Sequence, residues 1–85
     1  MTYRIEFEKR AAKAFEQLPA SRQRLIEKKI DSLAHQPRPN GSKKLSGGDG
    51  IYRIRCGDYR ILYQVQDHRL LVLVVKLGHR REVYD

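Results

Sequence analysis

The pattern of apolar and polar residues changes twice along the first third of the chain. In residues 2–8 every second residue is apolar, which is the period-two pattern of a half-buried strand. Apolar residues then recur every three or four positions, which predicts two helices. The first helix ends before Pro19, because the residue before a proline avoids helical geometry. The second helix is predicted over about 21–35.

The rest of the chain begins with a loop and continues with strands. Residues 37–50 are rich in glycine, proline, serine and lysine, and a connection of this length is typical of a functional loop. Three apolar-rich runs follow, which predict strands at about 51–56, 59–66 and 69–77. The order β-α-α-β-β-β predicts an α+β fold, a single domain of residues 1–85 whose two N-terminal helices pack on one face of an antiparallel sheet.

A short turn at Gly57 and Asp58 is expected to bring three arginines together. Glycine supplies the positive φ that the first position of a two-residue hairpin turn requires. The resulting register places Arg55 opposite Arg60, with Arg53 diagonal to Arg60 on the same face. Two cations about 5 Å apart repel by roughly 1–3 kcal/mol, and a bound phosphate would offset that cost. Alternatively, the three side chains splay into solvent or pair with acidic residues elsewhere.

The last predicted strand places apolar residues on the same face as the arginines if Asp67 and His68 form a second two-residue turn. Such a strip is typical of a strand covered on both sides or of a docking site for another chain. The residues concerned are Leu71, Leu73, Val75 and Leu77.

Composition narrows the function class. Eighteen Lys and Arg against ten Asp and Glu give a net charge of +8, which favours nucleic acid as a partner, although such charge can also serve solubility alone. No apolar run approaches the roughly 18 residues of a membrane span, the start lacks a signal-peptide pattern, and Cys56 is the only cysteine. A soluble, cytoplasmic protein is expected. Lys43 and Lys44 in the loop could both contact phosphates, or simply be solvated lysines, and we retain Lys44 as the candidate.

Residues 78–85 contain the side chains that a metal-free ribonuclease uses. Attack by a neighbouring 2′-hydroxyl requires proton removal from that hydroxyl, charge stabilisation on the phosphate and protonation of the departing oxygen. Histidine titrates near neutrality, arginine binds phosphate, and tyrosine stacks on bases or assists proton transfer. The alternative is a surface charge run. The three histidines are isolated and no Cys/His spacing suits a metal, so neither a metal nor a cofactor is expected.

Four segments of this sequence together resemble the RelE/ParE superfamily of prokaryotic toxins, and the resemblance covers essentially the whole chain. The segments are residues 44–47, 52–55, 57–63 and 78–84. The similarity to RelE toxins implies an endoribonuclease that cleaves messenger RNA in the ribosomal A site by 2′-hydroxyl attack and so inhibits translation. It also implies three partners, namely a cognate antitoxin, the ribosome and the messenger.

The resemblance further implies which residues form the site. The catalytic candidates are Arg60, His79, Arg80 and Tyr84, and the candidates for RNA or phosphate binding are Arg53, Arg55, Lys44 and Arg81. The best-known RelE pattern has lysines where this chain has Arg53 and Arg55, and arginine is a poor proton acceptor. We therefore predict that His79 shuttles the proton, with assistance from Tyr84.

Two other functions are compatible with the same features. One is a ParE-like protein of the same fold that inhibits DNA gyrase without cutting RNA. The other is a nucleic-acid-binding or regulatory subunit without catalysis, for which binding would depend strongly on salt and no cleavage would occur. The combination of Arg60, His79, Arg80 and Tyr84 favours the nuclease, because a pure binding module needs no proton shuttle or stacking ring beside its phosphate ligands.

Overall fold

The computed structural model describes residues 2–45, 47, 49–79 and 81. The predicted α+β architecture, with two N-terminal helices ahead of a run of strands, is confirmed. Its elements are β1 (Arg4–Phe7), α1 (Lys9–Glu16), α2 (Ala20–Ser32), β2 (Lys43–Lys44), β3 (Ile51–Cys56), β4 (Tyr59–Gln66), a 3₁₀ turn (Asp67–Arg69) and β5 (Leu71–His79). None of the helices in the described residues is long and apolar enough to cross a membrane.

The strands form one sheet in the order β1-β5-β4-β3-β2, and this sheet is mixed. The prediction of an antiparallel sheet was wrong for β1, which pairs parallel to β5, with Arg4 opposite Leu71 and Phe7 opposite Val74. Alternating apolar residues indicate which face of a strand is buried, and they carry no information about the direction of its neighbour. The parallel pairing is extended at its end by Glu8, whose N–H donates to the carbonyl of Val74 at 2.9 Å.

Both helices cover the same face of the sheet. Ala11 of α1 and Ile26 and Ile30 of α2 lie in one buried cluster with side chains from three strands. Those strand residues are Ile54, Cys56, Ile61, Tyr63, Val65, Val72, Val74 and Leu77. We call the other face, which carries Arg53, Arg55 and Arg60, the arginine face.

The turn before β5 differs from the prediction. Instead of two residues, the connection is a 3₁₀ turn followed by Leu70 in the left-handed region at φ 48°, so β5 begins two residues later than expected. The pairing of β4 with β5 also shifts after Leu62. As a result Leu77 pairs with Ile61 in the core, while Leu71 lies on the arginine face but is only 2% exposed. Leu77 is therefore not part of the expected apolar strip, whereas Leu71 and Leu73, which pair with Gln66 and Gln64, lie on the predicted face.

The loop between α2 and β3 is anchored to the sheet by Arg38. Its guanidinium donates to both carboxylate oxygens of Asp67, at 3.1 and 2.7 Å, and its Nε donates to the Tyr52 hydroxyl at 2.9 Å. Tyr3 donates a further hydrogen bond to Asp67 at 2.5 Å. Because Arg38 and Tyr3 both stabilise the charged carboxylate, the pKa of Asp67 falls from 3.8 to about 2.

We expect this anchor to make stability depend on pH in the acid range. A carboxylate whose pKa is lowered by folding stabilises the fold at pH values above its unfolded pKa, and this contribution is lost as the pH falls through its folded pKa. The urea midpoint of the native protein should therefore drop between about pH 4 and about pH 2, and the drop should be shallower for Asp67→Asn. Parallel pH profiles for the two proteins would contradict this assignment.

Candidate active site

The β3–β4 hairpin has the predicted register. Gly57 is the first residue of the turn and has a φ of 61°, a backbone conformation that residues other than glycine adopt only at a cost in free energy. Arg55 then pairs with Arg60 across the two strands, and Arg53 pairs with Leu62, one step along the same face. The predicted gathering of Arg53, Arg55 and Arg60 is confirmed by this pairing.

The three arginines differ in exposure. Arg53 is 8% exposed, Arg60 is half-buried and Arg55 is exposed, so the alternative in which all three splay into solvent is wrong for Arg53. A polar cavity of about 160 Å³ lies at this end of the hairpin, lined by Arg55, Gly57, Tyr59 and Arg60. Guanidinium groups match phosphate oxygens in a bidentate manner, so the recess suits a phosphate group.

Strand β2 places Lys43 and Lys44 on opposite faces of the sheet. Lys43 pairs with Arg53, and Lys44 pairs with Tyr52, whose ring stacks on Tyr63 on the helix side of the sheet. Residues directly opposed in a ladder share a face, so Lys43 is on the arginine face and Lys44 is not. The structure thus does not bring the predicted Lys44 together with the arginines. The sequence offers both lysines but does not distinguish them, because its composition predicts a loop over residues 37–50 and a loop has no register.

His79, the last residue of β5, lies on the other side of the sheet from the arginines. It pairs with Tyr59, and the two rings meet edge to face with centroids 5.7 Å apart. Arg60 pairs with Gly78, so the side chain of His79 has the opposite orientation. The backbone N–H of Arg81 donates to Nδ1 of His79 at 3.3 Å, which in the neutral imidazole leaves the proton on Nε2. The predicted role of His79 in proton transfer remains a prediction.

Strand β5 ends beside Arg60 of the arginine face. Because β5 pairs with Tyr59 and Arg60 at its last two positions, the chain leaves the sheet at the end where the hairpin turn lies. Arg81 is exposed at this end. The predicted catalytic residues Arg80 and Tyr84 lie outside the described residues.

Other reactive side chains fall into structural roles. Cys56 is buried, its Sγ lies 3.8 Å from the carbonyl oxygen of Leu25, and burial raises the pKa of its thiol. A neutral buried thiol is a packing residue. Within the parts of the chain that the structure describes, no group of three or more His, Cys, Asp or Glu residues could hold a metal ion.

The helix side of the molecule has a cleft of different character. It has a volume of about 350 Å³, and its apolar floor includes Ile5 and Phe15. Three carboxylates also line it, which disfavours a polyanion by simple repulsion. The carboxylates are those of Glu16, Glu27 and Asp31. Between the two surfaces, the arginine face is the better candidate for nucleic acid.

Comparisons with known proteins match this chain to toxins of the RelE and ParE type. The family model described as "ParE toxin of type II toxin-antitoxin system, parDE" matches residues 5–84. The mRNA interferase toxin RelE of Escherichia coli K12 is 34% identical over 89 residues, which cover 100% of this chain and 93% of that protein. Among solved structures, the archaeal RelE–RelB complex from Pyrococcus horikoshii OT3 matches with a TM-score of 0.83 at 33% identity, covering 98% of this chain and 100% of that one. The intact E. coli RelBE toxin–antitoxin complex matches with a TM-score of 0.78 at 30% identity, covering 93% and 96%.

Proposed function

Because this chain belongs to the RelE/ParE superfamily of toxins from type II toxin–antitoxin systems, we propose that it is an endoribonuclease that cuts messenger RNA in the ribosomal A site. The observation that carries this proposal is the pairing of Arg55 with Arg60, beside a buried Arg53, on the sheet face away from the helices. Guanidinium groups match phosphate oxygens in a bidentate manner, and a phosphate of the messenger is the anion that this activity supplies.

The arginines would act on the charge of the scissile phosphate. In cleavage by the neighbouring 2′-hydroxyl, the 2′-oxygen forms a bond to phosphorus and the bond from phosphorus to the 5′-oxygen breaks. The products are a 2′,3′-cyclic phosphate and a free 5′-hydroxyl, and negative charge accumulates on the phosphate oxygens in between. Arg53, Arg55 and Arg60 remain protonated throughout, so their part is to bind and stabilise that charge.

The proton transfers must come from other groups. A protonated arginine cannot accept the 2′-hydroxyl proton, and we assign the proton transfers to His79 and Tyr84. With Arg81 donating to Nδ1, the proton of a neutral His79 is on Nε2, and His79 would have to be in its imidazolium form to protonate the departing 5′-oxygen. Although His79 is on the other side of the sheet from the arginines, its ring contacts Tyr59, which lines the cavity beside Arg60, and we therefore keep His79 as the candidate acid for the departing 5′-oxygen.

A cognate antitoxin is the second partner that we propose. Both solved structures compared above are complexes of a RelE toxin with RelB, and the present fold matches each toxin chain over most of its length. The apolar cleft between β1 and the helices lies away from the arginine face. An antitoxin would thus have a surface available apart from the RNA site.

We predict that Arg60→Ala lowers cleavage of translated messenger by about 10²–10³-fold, the usual effect of removing one donor from a site that stabilises transition-state charge. Purified, antitoxin-free protein is added to a cell-free translation reaction, and messenger ends are mapped by primer extension. Arg69→Ala is the matched control, because Arg69 lies beyond the opposite end of β4. If the wild-type protein leaves the messenger intact, the nuclease proposal fails, and inhibition of DNA gyrase becomes the activity to assay.

We expect His79→Ala to slow cleavage and to remove one limb of the rate–pH profile, because a group that transfers the proton shows its titration in the rate. Single-turnover cleavage on programmed ribosomes is measured for both proteins from about pH 6 to about pH 8.5, a range that spans ordinary histidine titration. A variant with near-normal rates and an unshifted profile would assign the proton transfer to another group.

A further inference from the structure

The arginine face extends beyond the three arginines onto strand β2. The pairing of Lys43 with Arg53 places a fourth cation on this face, one strand farther from β4. Neighbouring strands lie about 4.8 Å apart, so Lys43 and Arg60, two strands apart, are separated by roughly 10 Å across the sheet. Lys43 is also opposite Arg53, two residues along β3 from Arg55, so it lies beside the position of a phosphate held by Arg55 and Arg60 and not at it.

The backbone that carries Lys43 is held in place on both sides. The N–H of Leu45 donates to the carbonyl of Ile51 at 2.9 Å, and the N–H of Ser42 donates to Pro39 at 3.0 Å. A third contact fixes the start of the loop, where the Tyr63 hydroxyl donates to the Pro37 carbonyl at 2.8 Å. Lys43 is therefore presented by ordered backbone, which lowers the entropy lost when it binds a ligand.

The surroundings of Lys43 favour an anion. Its side chain is exposed. Lys43 takes part in neither of the two ion pairs found among the described residues, which join Arg4 to Glu6 and Arg38 to Asp67. Its neighbour across the ladder is Arg53, and like charges directly opposed in a sheet destabilise it. A backbone phosphate beside Lys43 would be attracted by both of these cations.

We propose that Lys43 binds the messenger phosphate next to the scissile one, so that the RNA strand leaves the arginine pair by crossing β3 and β2. This inference rests on the proposed function for the identity of the RNA. Of the two lysines that the sequence offered as phosphate contacts, it selects Lys43 rather than Lys44. Lys43 is a binding residue in this account and has no part in proton transfer.

The two adjacent lysines provide a matched test. Both are exposed and both lose one charge on substitution by alanine, but they lie on opposite faces. Binding of a 2′-O-methyl single-stranded oligoribonucleotide, which cannot be cleaved by 2′-hydroxyl attack, is measured at several salt concentrations for Lys43→Ala and Lys44→Ala. Lys43→Ala should reduce the slope of log K against log salt by about 0.7, the loss of one phosphate contact on a single strand, and Lys44→Ala should retain the wild-type slope.

Equal reductions for both lysines would mean that only net charge matters, and a larger reduction for Lys44 would restore the assignment from sequence. Either result overturns the proposal. Thermal unfolding of both variants is recorded alongside, and Lys43→Arg, which keeps the charge, should retain the slope. The outcome is independent of catalysis: a wild-type protein that binds through Lys43 but leaves messenger intact contradicts the nuclease proposal alone.

Discussion

The register of β3 against β4 is the constraint on which the candidate site depends. A slip of one residue in this hairpin would turn every side chain of one strand to the opposite face, burying arginines and exposing core residues. The positive φ of Gly57 and the apolar side chains of Ile54 and Ile61 act together against such a slip. Hydrophobic burial on the helix side therefore also determines which residues meet on the arginine face.

The order of the elements explains why one face of the sheet is covered by helices and the other carries the arginines. Both helices precede the meander and pack on the same face, so the other face is left without a helix among the described residues. Cations on that face are close to one another, whereas carboxylates line the cleft on the helix side. The net charge of +8 therefore includes a group of cations on the arginine face, and this group makes the arginine face the preferred surface for RNA.

Much of this arrangement could be predicted from the sequence, since the determining signals are local. The hairpin turn and the alternation of residues in β3 and β4 were sufficient to pair Arg55 with Arg60. The direction of β1 and the pairing of β2 with β3 involve contacts between residues distant in the chain, for which a single sequence has no signal. This is why an antiparallel sheet was expected and why Lys44 was named in place of Lys43. The side of the sheet on which His79 lies depended in turn on the shift of pairing after Leu62.

RNA binding through the arginine face, rather than through basic residues elsewhere, can be followed in NMR spectra of the arginine Nε–Hε groups during titration with an uncleavable 2′-O-methyl oligoribonucleotide. We expect the signals of Arg53, Arg55 and Arg60 to shift together with a common affinity, while those of Arg22 and Arg24 on α2 remain in place. Shifts concentrated on the α2 arginines, with the three arginines of the sheet unaffected, would contradict it.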